Sequence, residues 1–586
     1  MKTNVGRAFL GILILVLNGC GQGDLVTSTQ VRSTVTPTPI RVSNTPTGDL
    51  STISGTVLGE HGPIADAVLR IQTTEVHTIS DEEGKFSLPL NEAMESPIKL
   101  TGWAKGYFCS GPFEVNPGDQ NVVVELIAHA DDDNPDYDWL PSFYHPGEGE
   151  DQGCAECHSR EGTNLAFSLP VDEWLLDAHS GSATNPRFLT MYNGTDLNGN
   201  QSPLTRMGYS RDYGSFPLPP DTSQPYYGPG YKLDFPDSDG NCSACHTPAA
   251  AINAPYSTDP NTLTGIESEG VPCDFCHKVW DVELNPASNL PYQNMPGVLS
   301  FNFRRPHEGH QFFAGPLDDV APGEDTYSHL QTQSAYCAPC HFGIFWDTVI
   351  YNSYGEWLAS PYSDPETGKT CQDCHMPPLG VSQFATKEAG GLIRDPNTIF
   401  SHRMPGATDL PLLQDALDMR VDVERDDEML QVTIHLVNDN TGHKIPTDSP
   451  LRHVLLIVQA QDADGNPLLL LEGPTLPAWA GVGEPEQGYY AGLPGMGFAL
   501  ILEELWTEIS PSGAYWNPTR VVEDTRLEPF VEVESTYQFD AVEKDELRLM
   551  VRVLLRRAFI DLMDQKGWTD PDMLMTEQVL LVRPED

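Results

Sequence analysis

Five times in this chain a pair of cysteines separated by two residues is followed at once by histidine. The five stretches are Cys154-Ala155-Glu156-Cys157-His158, Cys242-Ser243-Ala244-Cys245-His246, Cys273-Asp274-Phe275-Cys276-His277, Cys337-Ala338-Pro339-Cys340-His341 and Cys371-Gln372-Asp373-Cys374-His375. Histidine is 17 of 586 residues, so five such placements by coincidence have odds of about two in 10⁸. Two thiols at this spacing can reach the two vinyl groups of one porphyrin and form thioethers; the adjacent imidazole then lies under the ring against the iron. The chemistry implied is covalent attachment of five haem c groups, with His158, His246, His277, His341 and His375 as proximal ligands. Rival uses of paired cysteines fit less well. Structural zinc takes four ligands, normally from two pairs, and five is an odd number. Redox-active pairs are not expected five times in one chain, and disulfides do not call for a following histidine.

Two of the 12 cysteines remain. Cys109, in Gly106-Tyr107-Phe108-Cys109-Ser110, is expected to be a buried small apolar residue. Cys20 ends a leader: Lys2 and Arg7 precede an apolar run from Phe9 to Leu17, which is too short to span a bilayer. Leu17-Asn18-Gly19-Cys20 resembles the bacterial lipobox, in which the cysteine becomes the lipidated first residue. Residues 1–19 are thus expected to be a signal peptide, and 20–50, rich in Ser, Thr and Pro, a tether beginning at the lipidated Cys20. An ordinary signal peptide cleaved nearby is the alternative, and both imply export to the periplasm or cell exterior. The formal net charge of −51 excludes nucleic acid as a partner and suits either a solvated exterior or the docking of a basic redox protein.

The rest of the chain reads as three parts, which makes the fold class multidomain. Residues 51–128 alternate apolar and polar positions between turn residues, as in Ser54-Gly55-Thr56-Val57-Leu58 and Gly84-Lys85-Phe86-Ser87-Leu88, predicting short strands. The stretch Asp81-Glu82-Glu83-Gly84-Lys85-Phe86, followed by Gly106-Tyr107, resembles the carboxypeptidase regulatory-like domain. That resemblance implies a small β-sandwich acting as spacer or docking element. Residues 129–415 hold the five motifs at intervals of 88, 31, 64 and 34 residues. A loop-rich, mostly α domain is expected there, with the motifs at 242 and 273 and those at 337 and 371 forming neighbouring pairs. Residues 416–586 return to strand patterning, as in Leu430-Gln431-Val432-Thr433-Ile434-His435-Leu436. They predict a C-terminal β-sandwich-like domain with one helix near Ala558 to Lys566.

The far side of each iron needs a second ligand or an open position. His179 stands in Trp174-Leu175-Leu176-Asp177-Ala178-His179-Ser180, His402 in Ser401-His402-Arg403-Met404-Pro405-Gly406, and His443 in Gly442-His443-Lys444-Ile445-Pro446-Thr447. These segments resemble those that supply distal histidines in the bacterial multihaem cytochromes c. With Gly270-Val271-Pro272-Cys273 and Cys371-Gln372-Asp373-Cys374-His375-Met376-Pro377, the resemblance covers most of residues 130–470. It implies a pentahaem lipoprotein of that family with His179, His402 and His443 as distal ligands. His310 and His329 are further candidates; His307 competes with His310, and His145, His453, Met191, Met207, Met295 and Met404 stand in reserve.

An electron carrier needs every iron six-coordinate, whereas a catalyst needs one open position. No motif takes the C-x-x-C-K form that marks the active haem of pentahaem nitrite reductases. The reading favoured is therefore electron transfer along the haems between redox partners, more a carrier than an enzyme. The alternative is reduction or oxidation of a small nitrogen or sulfur compound at one open haem. Arg304, Arg305, Lys278 and Arg403 are the cations nominated to draw in an anion. Assembly into a homo-oligomer or filament, with the β domains driving contact, is a third expectation.

Overall fold

Between Thr52 and Glu125 the apolar–polar alternation builds eight strands: β1 (Thr52–Gly59), β2 (Gly62–Pro63), β3 (Val68–Ile71), β4 (His77–Ile79), β5 (Lys85–Pro89), β6 (Ile98–Trp103), β7 (Ser110–Val115) and β8 (Val122–Glu125). In this computed structural model, which describes residues 52–90, 94–146, 153–212, 214–542 and 545–583, they form two four-stranded sheets. One has the order β2-β1-β5 with β8 parallel to β1, and the other β4-β3-β6-β7. Ile53, Val57, Leu69, Leu88, Leu100 and Val124 point inward and are fully buried between the sheets. Period-two patterning supplies this face directly, because successive side chains of a strand point to opposite sides. The leader, Cys20 and the tether expected at 1–50 lie outside the described residues.

The central region is built from short pieces. Its helices are α1 (Ala155–His158), α2 (Pro170–Trp174), α3 (Pro186–Asn193), α4 (Tyr231–Asp234), α5 (Ser243–His246), α6 (Pro248–Ala251), α7 (Cys273–Lys278), α8 (Ser353–Ala359), α9 (Cys371–His375) and α10 (Leu410–Gln414). Beside them stand four two-stranded ribbons: β9 (Met207–Ser210) with β10 (Gly214–Pro217), β11 (Val279–Val282) with β12 (Phe301–Phe303), β13 (Phe313–Gly315) with β14 (Asp325–Tyr327), and β15 (Gly343–Phe345) with β16 (Thr348–Tyr351). The expected loop-rich character is present, but helix does not dominate: among the described residues of this region none exceeds the eight residues of α3. Frequent Gly, Pro, Asn and Asp stop each helix within a turn or two, below the length at which helices sustain themselves.

The C-terminal part contains β17 (Asp418–Arg425), β18 (Met429–Val437), β19 (His453–Asp462), β20 (Leu470–Glu472), β21 (Gly495–Glu504), β22 (Thr519–Asp524), β23 (Glu532–Asp540), β24 (Leu547–Arg556) and β25 (Met573–Val582). They form sheets of order β17-β18-β23-β20 and β22-β21-β19-β24-β25. Leu430, Val432, Ile434 and Leu436 of β18 meet Leu547, Leu549, Val551 and Val553 of β24 in one core. The unbroken run Val454 to Val458 in β19 is buried on both faces, since Leu476 and Ala480 cover its outer side. The helix expected near Ala558–Lys566 is α11 (Ile560–Lys566).

Polar contacts lock these parts together. Arg70 makes a two-pronged pair with Asp318 at 2.6 and 2.9 Å, and Trp103 Nε1 donates to Thr326 Oγ1 at 3.0 Å. Cys109 is buried beside this joint, 2% exposed, with its amide donating to Asp325 O. At the other end Lys566 Nζ donates to the carbonyls of Thr190, Thr195 and Pro229. Among the described residues no helix is long and apolar enough to cross a membrane.

His453, at the start of β19, is fully buried between Trp479 and Phe559, and burial lowers its pKa to about 3. Above pH 6.5 folded and unfolded chains both hold this imidazole neutral. As pH falls from 6.5 toward about 3 the unfolded chain gains a proton that the fold refuses, removing about 1.4 kcal/mol of stability per pH unit. Denaturant midpoints measured between pH 6.5 and 4 are expected to fall less steeply for His453→Leu than for the native chain by about this slope. Parallel slopes would contradict a buried neutral His453.

Candidate metal centres

A cysteine, a second cysteine three positions on and a histidine one further fall on the same face of a single helical turn. The chain supplies that turn at each motif. His158 N donates to Cys154 O at 2.9 Å, His246 N to Cys242 O at 3.1 Å and His341 N to Cys337 O at 3.1 Å. α7 and α9 carry the other two, and α9 is started by a reciprocal cap in which Thr370 and Asp373 bond one another. The fourth motif, interrupted by Pro339, sits on turns rather than in a longer helix.

Three of the five motif imidazoles face a second imidazole. His277 and His402 have ring centres 6.4 Å apart, His375 and His443 6.4 Å, and His341 and His179 6.2 Å. A metal–imidazole bond is roughly 2 Å and a ring nitrogen sits about 1.1 Å from its ring centre, so two imidazoles on one iron lie roughly 6 Å apart, centre to centre. The spacing fits one iron between each pair. The ring nitrogens fit as well. Nδ1 of His277 donates to Ala314 O at 2.7 Å, that of His375 to Pro405 O at 2.7 Å, that of His402 to Phe400 O at 3.1 Å and that of His443 to Lys444 O at 3.0 Å. A carbonyl only accepts, so the proton is on Nδ1 and Nε2 keeps the free lone pair that a metal needs. Burial lowers the pKa of His402 and His443 to about 4, keeping both neutral and able to ligate at neutral pH. His341 differs. Burial alone would lower its pKa, but the Asp448 carboxylate 3.5 Å from Nδ1 overrides that and raises it.

The remaining motif histidines have aromatic neighbours instead. His246 stacks on Phe188 at 4.0 Å, and His158, whose Nδ1 donates to Phe384 O at 2.8 Å, lies 6.0 Å from the Phe384 ring.

The structure does not bring His310 or His329 to a motif histidine. His310 is 69% exposed and pairs with Glu324, while His329 is exposed beside Tyr327 and Thr332. Both stand on the polar surface, His310 in a loop and His329 at the start of a single 3-10 turn, where an imidazole is better satisfied by water and neighbouring side chains than by an interior metal. Among the reserves, His307 pairs with Asp132 and His145 with Glu269, and His453 lies within the C-terminal sheets. The four nominated cations are all engaged: Lys278 with Asp274 at 2.5 Å, Arg305 with Asp133 at 2.7 Å, Arg403 with Asp409 at 3.5 Å and Arg304 with Asp131 at 3.9 Å.

The motifs also touch one another. Ser142 joins the first and third, its carbonyl accepting from Ala155 N at 3.0 Å and its hydroxyl from Cys273 N at 3.2 Å, and Ser334, just before the fourth, accepts on Oγ from Cys371 N of the fifth at 2.9 Å. Tyr336, next to the fourth motif, donates to Cys276 O at 3.0 Å. The neighbours expected at 337 and 371 therefore meet through Ser334. Those at 242 and 273 share apolar packing through Ala244 and Phe275, and the second motif also packs on Gly297, which leads to the fourth. Sequence spacing could not show this, because Gly297 N bonds Pro339 O at 2.8 Å and threads a distant segment between the second and fourth motifs.

Neither protein-family models nor the curated proteins give a match to this chain. Among solved structures it is similar to a penta-heme cytochrome c552 from Thermochromatium tepidum, at 17% identity over 73% of this chain and 97% of that one, with a TM-score of 0.48. It is also similar to beta-glucosidase 3B from Thermotoga neapolitana, at 10% identity over 28% of this chain and 15% of that one, with a TM-score of 0.11. The case for haem stands on the motifs and the ring geometry alone.

Gly297 has φ +55, and a Cβ there would lie 2.1 Å from Ala244 O and 2.9 Å from Cys245 Sγ. Gly309 also has positive φ, +88, but open space around it. Gly309→Ala is expected to cost only backbone strain of about 1–3 kcal/mol. Gly297→Ala should cost distinctly more, read as a lower denaturant midpoint; equal losses would mean the second and fourth motifs are not packed on this glycine.

Proposed function

We propose that this chain is an exported multihaem c-type cytochrome whose role is electron transfer between protein partners outside the cytoplasm, held to a membrane by lipid on Cys20. The observation that carries the reading is the set of three facing imidazole pairs, each with one member from a Cys-x-x-Cys-His motif. The ten motif cysteines would hold five haems through thioether bonds, with His277–His402, His375–His443 and His341–His179 as axial pairs. Bound haem supplies a one-electron couple that cycles without a change of ligands when both axial positions are filled. The chain's own work is to fix each imidazole, keep His402 and His443 neutral by burial, and set the motifs within reach of one another. The −51 charge supports a basic redox partner.

A second reading is favoured by one observation: the ring neighbours of His158 and His246 are Phe384 and Phe188, with no second imidazole facing them among the described residues. An iron held there by a single protein nitrogen could bind and reduce a small molecule.

Protein matured in a host able to attach haem is expected to gain the mass of five porphyrins and to stay pigmented after denaturation. His402→Ala and His443→Ala should each convert one of the five haems from low to high spin in the ferric spectrum. No retained pigment, or no change of spin state, would overturn the assignment. For the second reading, a high-spin ferric band in the native protein that shifts with cyanide or nitrite is the expected sign, and a wholly low-spin, unresponsive spectrum would exclude it.

A further inference from the structure

The axial imidazoles do not all have the same support. His158, His277, His375, His402 and His443 each rest Nδ1 on a backbone carbonyl. The pair at the fourth motif is different on both sides. His179 Nδ1 donates to Asp177 Oδ2 at 2.6 Å, and His341 Nδ1 lies 3.5 Å from Asp448 Oδ2.

Both carboxylates are built into place. The Asp177 side chain is 2% exposed and also accepts from His179 N at 2.9 Å, so one carboxylate fixes the backbone and the ring of the same residue. Asp448 reaches in from the connection between β18 and β19 with φ +68, and its Oδ1 is buried with no hydrogen-bond partner. Arg452 shares that corner, with Nη1 donating to Thr447 O at 3.2 Å. The two aspartates come from distant parts of the sequence, one after α2 and one from the connection between β18 and β19, and converge on one axial pair.

An anionic acceptor on Nδ1 pulls the ring toward imidazolate, makes Nε2 a stronger donor and so favours the more highly charged ferric iron. A carbonyl does this weakly and a carboxylate strongly. The fourth motif is also where the motifs converge: Gly297 links it to the second, Ser334 to the fifth and Tyr336 to the third, which in turn meets the first through Ser142. Resting on the multihaem reading above, the geometry points to Asp177 and Asp448 as tuning residues that make the fourth-motif haem the lowest-potential centre of the five, set at the junction of the chain. Electrons would then rest on the arms, the first and third motifs on one side and the second and fifth on the other, and cross the junction only in transit. Exchange between the arms would then be limited by these two side chains.

The test is a potentiometric titration of the purified holoprotein, followed optically and by the low-spin ferric resonances, on the native chain and on Asp177→Asn and Asp448→Asn. Asparagine keeps the shape and an acceptor oxygen and removes the charge. Each variant is expected to shift the ferric/ferrous equilibrium of the last-reducing haem about tenfold toward ferrous, about 59 mV for one electron, with the other four unchanged. His179→Met, which replaces the distal imidazole by a thioether, should raise the same component and so assign it to the fourth motif. If His179→Met moves a component that is not the last to reduce, or if neither asparagine variant moves the last, the proposal is overturned while the haem reading stands. Absence of five porphyrins from the intact mass would instead defeat the haem reading itself. The two aspartates lie on opposite faces of the pair, so one misfolded variant leaves the other to decide.

Discussion

Two imidazoles that share one iron must approach to a ring separation of about six ångström and no other, and they must arrive neutral, with the correct nitrogen turned inward. The local sequence can supply only one of the two. A Cys-x-x-Cys-His turn fixes its own histidine, and the opposing ring comes from elsewhere in the chain: His402 crosses to the third motif, His443 to the fifth, and His179 passes over the nearest motif to reach the fourth. Much of the architecture follows from these three long-range meetings. The central region needs loops long enough to carry a histidine across, and helices short enough not to obstruct it. The C-terminal sheets are required because the connection between β18 and β19 presents both His443 and Asp448. Contacts that look like simple domain packing keep that connection in place. Glu356 takes the amide of Lys444 at 3.1 Å, the hydroxyl of Thr447 at 2.6 Å and the guanidinium of Arg526 at 2.8 Å.

Electrostatics runs through the same residues. On the haem reading, imidazoles resting on carbonyls would leave each potential to burial and the acidic exterior, whereas the carboxylates would add a local bias at one centre. Lys278, Arg305, Arg403 and Arg304 are paired with Asp274, Asp133, Asp409 and Asp131, which offsets the positive field of these four near the motifs. In the proposed reading, the acidic exterior favours a cationic redox partner over anions gathered from solution.

The sequence made some of this legible and left the rest hidden for physical reasons. Period-two alternation is a local property, so the strands of both β regions could be read from it, including β18 with Leu430, Val432, Ile434 and Leu436 on one face. The motifs were legible because covalent chemistry fixes their spacing. Asp177 could also have been noticed, standing two residues before His179 where its carboxylate can reach back to the ring. The pairing of histidines could not be read, since nothing in the spacing of His179 indicates the fourth motif. His310 and His329 look like candidates by residue type, yet they stand on the solvent-facing surface, and exposure is settled by tertiary packing alone. The mostly α expectation for the central region missed its four two-stranded ribbons, whose strands of three or four residues are too short for period-two alternation to stand out from loop sequence.

The claim on which everything else depends is that each facing imidazole pair brackets one iron. It is tested most directly by diffraction from crystals of the haem-loaded protein at the iron absorption edge. The anomalous map should show five separate peaks, with one midway between His277 and His402, one between His375 and His443, and one between His341 and His179. Fewer peaks, or iron lying away from those midpoints, would contradict the account.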